Sequence, residues 1–99
     1  MERVRVAKII YTIVQDLLMQ KNRLMWASRR GMLELDLMLQ PFVEQHYDQL
    51  DQNDQQLFHK LLELEDQQLF LWLVRGEKTA NHDTQRIVDI ICESRKRTQ

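Results

Sequence analysis

The stretch Asp51–Val74, DQNDQQLFHKLLELEDQQLFLWLV, decides the fold class of this chain. Asp51 stands where an N-cap carboxylate accepts hydrogen bonds from backbone N–H groups two or three residues on, so a helix is predicted over Gln52–Glu63. Asp66 is interpreted in the same way, as the N-cap of a helix over Gln67–Val74. The last six residues of that second helix are all apolar, which predicts a central position in a helical bundle. The apolar face of the first helix consists of Leu57, Phe58, Leu61 and Leu62.

Three further helices are predicted between residues 21 and 50. The first covers Lys21–Arg30, and Gly31 stands where a left-handed helix stop is expected. The second covers Met32–Gln40. Proline is disfavoured inside a helix but favoured at its first position, so Pro41–Gln49 is predicted as a separate third helix. The residues available for packing in these segments are Leu24, Met25, Ala27, Leu35, Met38, Leu39, Phe42, Val43 and Tyr47.

The C-terminal part predicts one more helix after a polar connection over residues 75–82 that contains Gly76. This helix covers Asp83–Arg97, and three cations in its last turn suit the negative end of the helix dipole. Its inward residues are Ile87, Val88, Ile90 and Ile91. Residues 21–99 are therefore predicted to form an all-α domain, a compact bundle of about five short helices.

Residues 1–20 are treated as a separate N-terminal extension. The segment is rich in apolar residues with basic residues at its start, but its longest apolar run, Ile9–Val14, is too short for a secretory signal. Three interpretations stay open: an extra amphipathic helix packed on the domain, a poorly ordered extension, or an element for targeting or membrane-surface binding. Met19 is also an alternative translation start.

Composition and charge narrow the classes of function. With 99 residues there is room for one domain, and only two glycines and one proline disfavour a fold of strands and tight turns. Residues 1–31 hold seven Lys/Arg and two Asp/Glu, whereas residues 32–74 hold one Lys and nine Asp/Glu. This alternation favours a protein partner over a nucleic acid. The single Cys92 excludes an internal disulfide, and a cytoplasmic location is expected.

The residue types that usually carry catalysis do not form a convincing constellation. The two glycines lie far apart, so no phosphate-binding loop is predicted. The three histidines, His46, His59 and His82, lack metal-ligand spacing. Cys92 is interpreted as an inert buried thiol. The acidic groups Glu34/Asp36 and Glu63/Glu65/Asp66 are interpreted as solvated carboxylates at helix ends.

The run Arg29–Asp36, RRGMLELD, stands out as a hinge between two helices. Gly31 permits a positive φ and a close approach by another backbone. Arg30 offers a planar fork to a carboxylate, a carbonyl or a phosphate, and Glu34 lies in the first turn of the following helix. Two interpretations stay open: a small binding surface, or an ordinary corner with an internal Arg–Glu pair.

The longer run Trp26–Asp36, WASRRGMLELD, resembles the SdhE-type FAD assembly factors, the bacterial relatives of the mitochondrial succinate dehydrogenase assembly factor. The family motif Arg-Gly-x-x-Glu is matched by Arg30, Gly31 and Glu34. The resemblance covers about residues 21–95, and residues 1–20 depart from it. Further matching positions are Pro41, Phe42, Tyr47, Asp48, Leu61, Leu62, Glu63, Asp66, Leu69, Phe70, Trp72 and Leu73.

The resemblance implies a bundle of about five helices that is not itself an enzyme. It implies that the protein promotes covalent attachment of FAD to the flavoprotein subunit of succinate dehydrogenase, with fumarate reductase as a second candidate target. No FAD or metal is expected to be held stably by this chain. The residues expected to contact the partner are Trp26, Arg29, Arg30, Gly31, Glu34 and Asp36. Two alternatives stay open: an antitoxin-like or general protein-interaction module, and a carrier of free FAD.

Overall fold

The structure is a computed structural model that describes the backbone of residues 2–98 and the side chains of residues 6–97. It is all-α, as predicted, and residues 2–98 contain no β-strand. The helices are α1 (Glu2–Ser28), α2 (Leu33–Gln45), α3 (Gln52–Leu62), α4 (Asp66–Leu69) and α5 (His82–Thr98). A 3₁₀ turn, Tyr47–Gln49, precedes α3, and α4 continues into a π-helical turn, Phe70–Val74.

Helix α1 includes parts of two segments that are predicted separately from the sequence, the extension up to residue 20 and the helix Lys21–Arg30. It runs without a break through residue 20, so the predicted helix Lys21–Arg30 is its C-terminal part. Side chains 6–20 are all exposed, and only Leu24 and Ser28 are buried among the described side chains of α1. The extension is therefore helical but is not packed on the domain.

The prediction of a helix break at Pro41 is wrong. Helix α2 passes through Pro41, and the two predicted helices Met32–Gln40 and Pro41–Gln49 are largely one. The proline removes one backbone donor, so the carbonyl of Leu37, an exposed residue, loses its partner within the helix. Burial of one continuous stripe offsets this cost. The stripe consists of Leu35, Met38, Leu39, Phe42 and Val43.

One of the two predicted N-caps is confirmed and the other is wrong. The carboxylate of Asp51 accepts a hydrogen bond of 2.8 Å from the backbone N–H of Asp54, which caps α3. Asp66 is instead the first residue of α4, after the N-cap residue Glu65. Its carboxylate accepts a hydrogen bond from the side chain of Arg30 at 2.7 Å. A long-range ion pair thus replaces the local cap.

The hydrophobic core is shared by all five helices. The rings of Phe42 in α2 and Phe58 in α3 lie at its centre, with their centroids 5.2 Å apart. The other buried apolar residues are Leu24, Leu35, Met38, Leu39, Val43, Leu57, Leu61, Leu62, Leu69, Leu73, Ile87, Val88 and Ile91. The segment Gln67–Val74 is less central than predicted, because Leu71 and Val74 are exposed.

The molecule is elongated because α1 extends beyond the core. Its principal extents are 58 × 27 × 26 Å, and its radius of gyration is 16.1 Å. A compact domain of this length would have a radius of gyration of about 13 Å. Within the described residues, no helix combines the length and the apolar content needed to cross a bilayer.

Candidate partner-binding corner

The corner between α1 and α2 is fixed by Arg30, whose side chain points into the protein. Its Nε donates to the Asp66 carboxylate at 2.7 Å. One terminal nitrogen, Nη1, donates to the carbonyls of Leu62 at 2.8 Å and Ala27 at 3.0 Å, and Nη2 donates to the carbonyl of Leu64 at 2.7 Å. The guanidinium therefore ties the end of α1 to the turn between α3 and α4.

The backbone of the corner is held from the α2 side by Asp36. Its carboxylate accepts a hydrogen bond of 2.7 Å from the backbone N–H of Arg30. Asp36 lies in the first turn of α2, where a negative charge is also favoured by the helix dipole. Together, Arg30 and Asp36 determine the direction in which the chain leaves α1 and enters α2.

Gly31 has the conformation that the sequence predicts for a helix stop. Its φ is +79°, in the left-handed region that L side chains rarely adopt. A Cβ built at Gly31 would meet no other atom within 4 Å, and the residue is exposed. The space over Gly31 is therefore open, so the backbone of another protein can approach it closely.

The outer side of the corner is exposed and contains both apolar and charged groups. Trp26 is 71% exposed, and the guanidinium carbon of Arg29 lies 5.8 Å from its ring centroid, within cation–π distance. Leu33, at the start of α2, is 68% exposed, and Glu34 beside it is also exposed. We call this set, Trp26, Arg29, Gly31, Leu33 and Glu34, the corner surface.

The structure separates the predicted partner-contact residues into two groups. Trp26, Arg29, Gly31 and Glu34 lie on the corner surface, whereas the side chain of Arg30 is largely inside. The internal Arg–Glu pair considered from sequence is absent, because Arg30 pairs with Asp66 and no ion pair within residues 6–97 involves Glu34. Leu33 is not among the site residues predicted from the sequence. Its exposure could have been predicted, because it lies off the apolar stripe that α2 buries.

Titratable groups outside the corner include Tyr47, His59 and Cys92. No group of three His, Cys, Asp or Glu side chains within the described residues could hold a metal ion. The hydroxyl of Tyr47 and Nε2 of His59 form a hydrogen bond of 2.7 Å, and burial followed by the nearby Asp48 raises the pKa of Tyr47. Burial, and next Asp89, raises the pKa of the half-buried Cys92 thiol, which disfavours the reactive thiolate.

The fold and the corner surface define a small all-helical protein with an exposed corner that internal hydrogen bonds hold in place. A protein-family model described as flavinator of succinate dehydrogenase matches residues 22–95, and the chain belongs to this family. The match begins inside α1, so residues 1–21 lie outside it.

Curated relatives named FAD assembly factor SdhE match about three quarters of the chain. The protein of Pseudomonas aeruginosa is 49% identical over 72 residues, which cover 73% of this chain and 86% of the relative. The protein of Shewanella oneidensis is 46% identical over 71 residues, covering 72% of this chain and 87% of the relative. The protein of Pseudomonas putida is 44% identical over 72 residues, with coverages of 73% and 86%.

Proposed function

We propose that this chain is an assembly factor that promotes covalent attachment of FAD to the flavoprotein subunit of succinate dehydrogenase. Family membership and the names of the relatives support this activity. The observation that carries the proposal is the open space over Gly31, at the point where the family motif Arg-Gly-x-x-Glu lies. The flavoprotein docks on the corner surface, and its backbone approaches Gly31.

The contribution of this chain is conformational. The bond-forming chemistry belongs to FAD and to the flavoprotein, so the helper needs no catalytic side chain of its own. Correct orientation of reacting groups can contribute up to about 7–11 kcal/mol to a reaction. A bound helper supplies part of this by shifting the flavoprotein toward a competent conformation.

Arg30 acts within this proposal as a positioning residue. Four hydrogen bonds already connect its side chain to groups of the same chain. Rather than reaching into the partner, it keeps Gly31 and Glu34 in a fixed arrangement. Preorganisation of this kind reduces the entropy lost on binding.

The cofactor is covered by the same proposal. The chain acts on the FAD of its partner and does not hold the cofactor stably. Fumarate reductase, which the family resemblance also implies as a target, is a second candidate. The cytoplasmic location stays a prediction.

The test is in-gel flavin fluorescence of the denatured flavoprotein subunit from cells with and without this gene. Deletion is expected to reduce the covalent flavin signal, and wild type is expected to restore it. Gly31→Arg is expected to fail, because a long side chain blocks the close approach. An unchanged signal on deletion would exclude the proposed activity in these cells.

Gly76→Arg is the matched control for this experiment. Gly76 has φ +76° and, like Gly31, no atom within 4 Å of a built Cβ, so both substitutions impose the same backbone strain. Only Gly31 lies on the corner surface. If both variants lost activity equally, strain rather than partner contact would explain the loss. A pull-down that enriched another protein and no flavoprotein would favour a general interaction module.

A further inference from the structure

The N-terminal half of α1, called the free half (residues 6–20), carries an apolar stripe that the core of the domain does not cover. Val6, Ile10, Ile13 and Leu17 are spaced by four, three and four residues, and each is between 52% and 59% exposed. This alternation is the heptad spacing of a helix that packs along its length against a second helix. A seam of this kind fits a helical partner. The other exposed large apolar side chains of residues 6–20 are Ile9, Tyr11, Val14, Leu18 and Met19.

The stripe continues into the packing of the domain itself. Leu24, one heptad after Leu17, lies on the same side of α1 and is 4% exposed in the core. Between them the helix diverges from the domain and leaves an open groove of about 1030 Å³, with Leu17 on one wall and Tyr47 and His59 on the other. Lys21 bridges the two walls through an ion pair of 2.8 Å with Asp48. The groove therefore forms where the seam meets the domain.

The charge distribution favours a second copy of this chain as the occupant. Residues 1–31 hold seven Lys/Arg and two Asp/Glu, and residues 32–74 hold one Lys and nine Asp/Glu. An antiparallel copy of α1 brings its basic first turns beside the acidic domain of its partner. The side chain of Asp48, at the rim of the groove, is 74% exposed and pairs with Lys21 of its own chain, so one exposed carboxylate of this acidic part lies beside the groove. Opposite charges at these two ends favour this orientation.

We propose that two copies of this chain associate through antiparallel α1 helices. Ile10 lies opposite the second copy's Ile13, and Val6 lies opposite the second copy's Leu17 and enters the groove. A parallel pair is disfavoured, because each domain covers its own stripe at Leu24 and the two domains would occupy the same end of the pair. With only four apolar layers, the dimer is expected to dissociate in the micromolar range.

The dimer leaves the corner surface free. Trp26 follows Leu24 by two residues, which places it about 200° around the helix, on the side away from the seam. Association is therefore separate from the proposed function, and a failure of either proposal does not affect the other.

The test is the molar mass of the full chain, measured by sedimentation equilibrium over a concentration series that extends well above the micromolar range. The mass of wild type is expected to rise with concentration toward twice the monomer mass of 12.1 kDa. Ile10→Asp with Ile13→Asp is expected to halve the measured mass. Thr12→Asp with Gln15→Asp, the same charge change on the opposite side of α1, is expected to remain a dimer. A monomeric wild type, or equal dissociation of both variants, would overturn the proposal.

Disulfide cross-linking tests the orientation in a Cys92→Ser background, which removes the native thiol. Val6→Cys protein mixed with Leu17→Cys protein is expected to form a cross-linked heterodimer, whereas each alone is not. Cross-linking of either protein with itself would overturn the antiparallel arrangement. The Ile10/Ile13 variant is expected to support normal flavinylation. Monomeric wild type that sediments with mixed phosphatidylethanolamine–phosphatidylglycerol vesicles would replace the second copy with a membrane surface as the occupant.

Discussion

Single side chains at the α1–α2 corner perform different tasks, although they are neighbours in the sequence. Arg29 is exposed and lies over the ring of Trp26, while Arg30 turns inward toward Asp66 and three backbone carbonyls. Gly31 then supplies the positive φ that lets the chain turn into α2. Three successive residues therefore differ in what they do: Arg29 is exposed, Arg30 clamps the corner through its hydrogen bonds, and Gly31 allows the turn.

Arg30→Lys tests the clamp. A lysine ammonium lacks the planar fork, so at least one of the carbonyls of Leu62 and Leu64 loses its charged donor. The free energy of unfolding is expected to fall by about 2–3 kcal/mol. Urea denaturation measures this change, with Arg29→Lys as the control that shifts it by less than about 0.5 kcal/mol. Equal stability of the two variants would show that the fork does not hold the corner.

At the scale of elements, helices distant in sequence are joined by a few specific links. Asp54 in α3 accepts two hydrogen bonds from Arg86 in α5, from Nε at 2.8 Å and from Nη2 at 3.0 Å. The Asp54 side chain is buried, and the bonds from Arg86 hold its pKa below the ordinary value, although burial opposes this. This pair connects the two helices at the edge of the core.

The α3–α5 link predicts a pH dependence of stability. Because the pKa of Asp54 is lowered in the folded state, its contribution is complete above the ordinary carboxyl pKa of about 4. The contribution is lost as the pH falls through the lowered folded-state pKa. Asp54→Asn is therefore expected to lose less stability than wild type between about pH 5 and pH 2. Urea midpoints across this range measure the difference. The exposed Glu44→Gln is the control, expected to follow wild type, and parallel curves for all three proteins would refute the link.

At the scale of the whole molecule, the chain consists of a compact domain and the N-terminal half of α1, which protrudes from it. The family match begins at residue 22, close to Leu24, the first buried residue among the described side chains of α1. The described side chains before residue 21 are all exposed and add nothing to the core of a single copy. The domain and its corner surface are thus expected to work without the free half of α1.

Removal of residues 1–18 tests this division. The shortened chain starts at Met19 and keeps Leu24 and Ser28, the two buried residues among the described side chains of α1. Its free energy of unfolding is expected to differ from that of wild type by less than about 1 kcal/mol. The free energy of unfolding is measured at low protein concentration, because association with a second copy would otherwise add to the stability. A shortened chain that failed to fold cooperatively would show that the free half of α1 supports the domain.

The features that the sequence determined by itself depend on neighbouring residues. The left-handed stop at Gly31, the cap at Asp51 and the apolar faces of α3 and α5 each follow from short spacings along the chain. The family motif is also contiguous, so the resemblance follows from the sequence alone. These features need no knowledge of which helices meet.

The structural roles of Pro41, Asp66 and Arg30 depend on contacts between segments that are distant in the sequence. Pro41 lies inside α2 because burial of one continuous apolar stripe stabilises the unbroken helix. Asp66 pairs with Arg30, 36 residues away, and does not cap a helix. The direction of Arg30, toward the interior rather than toward a partner, depends on carbonyls of the α3–α4 turn. Each outcome balances a local preference against contacts between distant segments, and the fold alone brings those segments together.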